Sequence, residues 1–123
     1  MITEDYVSFE IAKLLKEKGF DEGCSFIVNT ISKGVMPVSW PTTNSDIEDE
    51  KACLIALPTL QMAMKWLREV HNIHIEIGYN LGYFPVCIST KTNDTIPYIA
   101  MGSPFTYEQA CEVAIKYCLE HLI

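Results

Sequence analysis

The chain has 123 residues, 49% hydrophobic and 20% charged, a balance that suits one folded domain and argues against a largely disordered segment. Its formal net charge is −7, with 9 Lys/Arg against 16 Asp/Glu, so it lacks the basic clusters that bind nucleic-acid phosphates or anionic membrane surfaces. No apolar run approaches the ~20 residues of a membrane span, and the start, MITEDYVSFE, is acidic where a secretory signal is basic. The expectation is one cytoplasmic domain over residues 1–123, with no membrane partner.

In chain order, Val7, Ile11, Leu14 and Leu15 predict a surface helix capped by Thr3 and ended after Lys18 by Gly19. Residues 24–31 and 35–40 are short and rich in β-branched and aromatic side chains, and Ser32-Lys33-Gly34 between them predicts a hairpin. Pro37 inside the second run assigns it to a sheet edge or to irregular structure. Residues 41–51, PTTNSDIEDEK, follow turn residues with Asp46, Glu48, Asp49 and Glu50 and predict a mobile acidic loop. The run lacks the spacing and central glycine of a calcium loop, so no metal site is assigned. The run reads first as a solvated loop, and its candidate role beyond that is as an interface that imitates nucleic-acid phosphates when docking a basic host protein.

Residues 52–57 read as a brief strand. From Thr59 as cap, a helix over residues 60–71 follows, with Leu60, Met62, Ala63, Met64, Trp66, Leu67 and Val70 covering an arc of about 200°, against about 100° for an ordinary surface helix. Such a face needs cover on two sides, from this chain or from a partner subunit, which makes Met62 and Trp66 candidate interface residues. Residues 73–79 alternate, with Ile73, Ile75, Ile77 and Tyr79 inward. Asn80-Leu81-Gly82 then turns the chain into a strand over 83–90, and Pro97 marks residues 96–101 as a further edge strand. Thr106 to Gln109 reads as a capping box opening a last helix to about Leu122, with Ala110, Cys111, Ala114, Ile115, Cys118 and Leu122 on its buried face. The fold class is therefore α+β, three helices on a small antiparallel sheet, in the order α-β-β-(acidic loop)-α-β-β-β-α.

The five cysteines form no CxxC pair and read as reduced packing residues. His71 and His74, flanked by Glu69 and Glu76, bring metal ligands to mind, but a helix end and a strand do not converge on one ion. A Gly-rich phosphate loop, a nucleophile elbow, HExxH and a Ser/His/Asp or Cys/His pairing are all absent from the sequence. No catalytic residue and no cofactor is assigned, and the chain is read as non-enzymatic.

Residues 58–77, PTLQMAMKWLREVHNIHIEI, 107–123, YEQACEVAIKYCLEHLI, and 2–20, ITEDYVSFEIAKLLKEKGF, carry a resemblance to a family. The chain resembles short uncharacterised proteins of gut anaerobic bacteria of the Bacteroides kind and of their phages and mobile elements. The resemblance implies no activity, cofactor or site residue. The best expectation is a protein-interaction or accessory module whose partner is a second copy or a host or phage protein. The alternative is a nucleic-acid binder, because residues 59–123 follow the αβββα order of double-stranded RNA binding domains. Those domains use basic residues where this chain has Thr106, Glu108 and Glu112.

Overall fold

The structure, a computed structural model, describes residues 4–47, 53–79, 81–89, 94–97 and 106–123. The fold is α+β: α1 (Phe9–Glu17), β1 (Cys24–Asn29), β2 (Val35–Thr42), β3 (Leu54–Leu57), α2 (Leu60–His71), β4 (Ile73–Tyr79), β5 (Tyr83–Ser89), β6 (Asp94–Pro97) and α3 (Tyr107–Tyr117). The strands divide into two antiparallel three-stranded sheets, β2-β1-β3 and β4-β5-β6. They belong to two compact units, Glu4–Thr59 and Leu60–Ile123.

In the first unit, α1 starts later than the sequence pattern predicts. Its cap is Ser8, whose hydroxyl accepts from the Ile11 N–H at 3.3 Å, whereas Thr3 lies outside the described residues. The delay has a tertiary cause: Tyr6 bridges Thr59, and the Val7 N–H donates to the Pro58 carbonyl at 3.0 Å, which holds this stretch extended. The helix ends as expected at Gly19, whose φ of +92° suits a glycine. The Gly19 N–H returns to the Lys16 carbonyl and the Phe20 N–H to the Leu15 carbonyl, and buried Leu15 and Phe20 complete this Schellman ending. α1 lies against β3, and Ile11, Ala12, Leu15, Ile55 and Leu57 enter the core.

Pro37 sits on edge strand β2, where the missing N–H interrupts no central ladder. The other edge, β3, is fastened from outside. Asn44 donates to the Phe20 carbonyl at 2.8 Å and accepts from the Ala56 N–H at 2.9 Å, tying β3 to the chain after α1. The segment expected to be a mobile acidic loop therefore begins as fixed structure. Pro41 and Thr42 belong to β2, Thr43 and Asp46 exchange side-chain hydrogen bonds, and the Ser45 N–H and hydroxyl donate to Asp21. Those bonds hold the Asp21 carboxyl below its ordinary pKa, the Ser45 hydroxyl contributing most.

The second unit is an αβββα arrangement in which α2 contacts β4 and α3, and α3 contacts β4 and β5. Leu60, Ala63, Met64, Trp66 and Leu67 are buried, an arc of roughly 160° on ideal helix geometry, which β4 and α3 border. Val70, placed in that arc by its spacing, is 51% exposed in the last turn. The α3 capping box is present in both directions. Its buried face takes in Leu119, while Leu122 is half-buried at the end of the π-helical turn Cys118–Leu122 that extends α3.

Pro85 stands in the central strand β5. The β5–β6 register ends at Val86 opposite Pro97, one position short of Pro85, while on the other side Pro85 pairs with Ile77 in the β4–β5 ladder. Gly78 pairs with Phe84 across the β4–β5 ladder, and a Cβ on Gly78 would collide with the Phe84 ring. The glycine is what lets that ring cover the strand.

Candidate functional site

The residues marked as interface candidates fall in different settings. Trp66 is 5% exposed and meets His71 edge-on at 4.7 Å between centroids, and Met62 is half-buried. Trp66 is thus part of the core of α2, not a surface contact. Asp46 closes the turn after β2, and Glu48, Asp49 and Glu50 lie outside the described residues. His74 is exposed on β4, and His121 lies 4.8 Å from Tyr117. Among the described residues, no group of three or more His, Cys, Asp or Glu is arranged to hold a metal ion.

Cys24, Cys53, Cys111 and Cys118 form no disulfide; Cys24, Cys111 and Cys118 are buried and Cys53 is half-buried. Burial pushes the Cys24 thiol up to about 11, with Glu22 adding to the effect. Burial does the same for Cys111, also to about 11, aided by Glu108 and Glu112 and opposed by a hydrogen bond with Tyr107. Both therefore stay protonated at neutral pH, and a protonated thiol is a poor nucleophile.

Three exposed tyrosines, Tyr79, Tyr83 and Tyr107, gather at one place, the tip of the β4–β5 hairpin and the start of α3, apart from the exposed Trp40 on β2. Burial along the inward positions of β4 falls from Ile73, at 1% exposure, through half-buried Ile75 and Ile77 to Tyr79, at 71%. The strand therefore outruns its cover, and Tyr79, expected in the core, stands in solvent. Tyr83 is its register partner, with ring centroids 5.0 Å apart. Tyr107 meets Tyr83 at 5.6 Å and 87°, and its hydroxyl accepts from Gln61 Nε2 at 3.1 Å. The three rings are thus placed by a hairpin register, a helix cap and a hydrogen bond from α2.

Two backbone positions shape the tip. Leu81 has φ +57° and Gly82 has φ +141°, so both take conformations that suit glycine. Leu81 is nevertheless a leucine, 90% exposed. With Thr106 and Glu108, these residues and the three tyrosines line an open groove of about 640 Å³. The groove offers aromatic faces, phenol hydroxyls, one aliphatic rim residue and one carboxylate. Among the described residues, no Lys, Arg or His lines it.

No protein-family model, curated protein or solved structure matches this chain. The groove is therefore read from its own chemistry. Among the described residues, no helix is long and apolar enough to cross a membrane. The wording YNLGY, residues 79–83, holds the missed signal: a leucine in a three-residue hairpin loop where asparagine or glycine is the low-strain choice, between two tyrosines that the register must pair.

Proposed function

We propose that this chain is a non-enzymatic protein-interaction module whose contact surface is the tyrosine groove at the β4–β5 tip. The observation that carries the reading is convergence: Tyr79, Leu81, Tyr83 and Tyr107 are all at least 36% exposed and line one surface. Tyrosine supplies large contact area at low conformational entropy, and for that reason it dominates protein contact surfaces. An apolar side chain left in solvent in a left-handed backbone conformation gives no folding advantage, and strain of that kind gathers where the chain meets a ligand. The partner is a protein of the host or of a phage or mobile element, the setting that the sequence resemblance suggests. Cysteines 24, 53, 111 and 118 outside any disulfide fit a reducing, cytoplasmic compartment.

The nucleic-acid reading keeps one favourable observation, the αβββα order with both helices against one three-stranded sheet. Its chemistry is opposed by charge, because Thr106 and Glu108 open α3 where an RNA-binding domain presents cations. The deciding experiment is capture of partners by the tagged full chain from nuclease-treated native lysate, with Tyr79→Ala in parallel. A stoichiometric protein retained by the wild type and lost by the variant is expected. Recovery of nucleic acid alone from untreated lysate would replace the proposal with the nucleic-acid reading.

A further inference from the structure

The groove has a chemical preference that narrows its partner. Among the described residues, its charged lining group is the Glu108 carboxylate, beside three tyrosines, Leu81, Gly82 and the capping Thr106. Aromatic faces carry negative quadrupole potential and attract cations, arginine above all, because its planar guanidinium stacks on a ring while its N–H fork reaches a carboxylate. A helix N-terminus favours anions, but here Thr106 Oγ1 already accepts from the Gln109 N–H, Gln109 Oε1 accepts from the Thr106 N–H, and the Glu108 carboxylate in the first turn already offsets the positive end of the dipole. An anionic guest would meet a carboxylate with no cation beside it among the described lining residues. A neutral apolar guest would leave that carboxylate without a counter-charge. The net charge of −7 acts in the same direction at longer range.

Resting on the interaction reading above, we propose that the groove receives an arginine side chain from a peptide segment of the partner protein. The guanidinium stacks on the exposed Tyr79 and Tyr83 faces and pairs with Glu108, while Leu81 covers the aliphatic stem. Tyr107, held by Gln61, is the fixed wall against which Tyr83 is set. This arrangement explains why the loop keeps a leucine at its strained position: the side chain acts on the guest, not on the fold.

The test is NMR titration of the full chain with three end-blocked tripeptides carrying arginine, lysine or citrulline between alanines. Citrulline keeps the shape of arginine without the charge. The expected result is saturable movement of the Tyr79, Tyr83 and Tyr107 ring signals by the arginine peptide. The lysine peptide should bind several-fold more weakly, and the citrulline peptide at least about tenfold more weakly. Glu108→Gln should weaken arginine binding about fivefold, and Tyr79→Ala at least about tenfold. Both side chains are exposed, and thermal melting checks that each variant remains folded.

Equal binding of arginine and citrulline, equal binding of arginine and lysine, or shifts spread over other acidic surfaces and indifferent to Tyr79→Ala would each overturn the proposal. A captured lysate protein that needs Tyr79 but is not displaced by the arginine peptide would keep the interaction module and sink the arginine assignment. Arginine-peptide binding at the tyrosines with no captured protein would do the reverse.

Discussion

The two hairpins of this chain solve the same backbone problem with opposite means. Each places a residue other than glycine at positive φ near its tip, Lys33 at +61° between β1 and β2 and Leu81 at +57° between β4 and β5. At the first tip the conformation is supported locally. The Lys33 N–H donates to the Asn29 carbonyl at 2.8 Å, the Asn29 side chain accepts from the Ile31 and Ser32 N–H groups, and the Lys33 ammonium lies 5.2 Å from the Phe9 ring centroid. At the second tip the leucine points to solvent beside three tyrosines. Exposure alone does not separate them, since Trp40 on β2 is 80% exposed and Ile31 78%. What separates them is convergence, because the second tip gathers its exposed groups around one groove while Trp40 lies on an edge strand broken by Pro37 and Pro41.

The largest effect that sharpens this contrast belongs to Asn44, the polar fastener of the first sheet. Asn44→Ala leaves the Phe20 carbonyl and the Ala56 N–H without their partner, for a loss of about 2–4 kcal/mol, read as a lowered urea midpoint. A loss below about 0.5 kcal/mol, the range of ordinary surface substitutions, would mean that side-chain hydrogen bonds do not hold this unit. The second unit should fail through ring packing instead. Gly78→Ala drives a Cβ into the Phe84 ring and should cost about 1–3 kcal/mol by overpacking. Gly34→Ala, whose nearest contact would be the Ser32 hydroxyl at 3.3 Å, should stay within about 0.5 kcal/mol. Adding Phe84→Leu to Gly78→Ala should recover part of the loss, and failure to do so would separate the glycine from the ring.

These particulars also mark how far the sequence could be read. The α3 capping box, Gly19, the edge positions of Pro37 and Pro97 and the extent of α2 depend on neighbours within a few residues, and each is where the pattern puts it. The start of α1 is not, because the extended residues before it pair with Pro58 and Thr59, far along the chain. Val70 and Tyr79 share one lesson: periodicity says which face a side chain takes, and only tertiary cover says whether that face is buried at that height. Asn44 looked like loop composition because its two partners, Phe20 and Ala56, are distant in sequence. The groove was illegible for the same reason, since Tyr107 reaches Tyr83 only through the fold.

A smaller effect tests what the two units have in common. Cys24 and Cys111, one in each, have thiols raised by burial to about 11, above the usual value of an unfolded cysteine, near 8.5. The unfolded chain therefore gives up these protons first. Below pH about 8.5 their contribution to stability is fully present, and it is lost as pH rises toward 11, with a slope of at most about 1.4 kcal/mol per pH unit for each thiol. Urea midpoints from pH 7 to 10.5, compared among the wild type, Cys24→Ala and Cys111→Ala, check this. Each substitution should flatten the alkaline decline, and a decline that neither variant changes would assign it to other groups. Tyr107→Phe removes the one bond that favours the Cys111 thiolate, so it should slow alkylation of Cys111 at pH 9 and leave Cys24 unchanged.

The smallest expected change in stability returns to the tips and has the opposite sign. Leu81→Gly relieves a left-handed leucine that is 90% exposed, and the relief exceeds the added chain entropy, for a net gain of about 0.5 kcal/mol in thermal melts. Lys33→Gly should give no such gain, because the Asn29 bonds and the Phe9 contact already offset its conformation and the substitution gives up the latter. If Leu81 serves the partner, the stabilised variant must also bind less well, so gain in melting and loss in capture appear together in one protein. A leucine that can be replaced with better stability and unchanged capture would reduce the second tip to an ordinary strained turn, and the difference between the two hairpins would then be one of loop sequence alone.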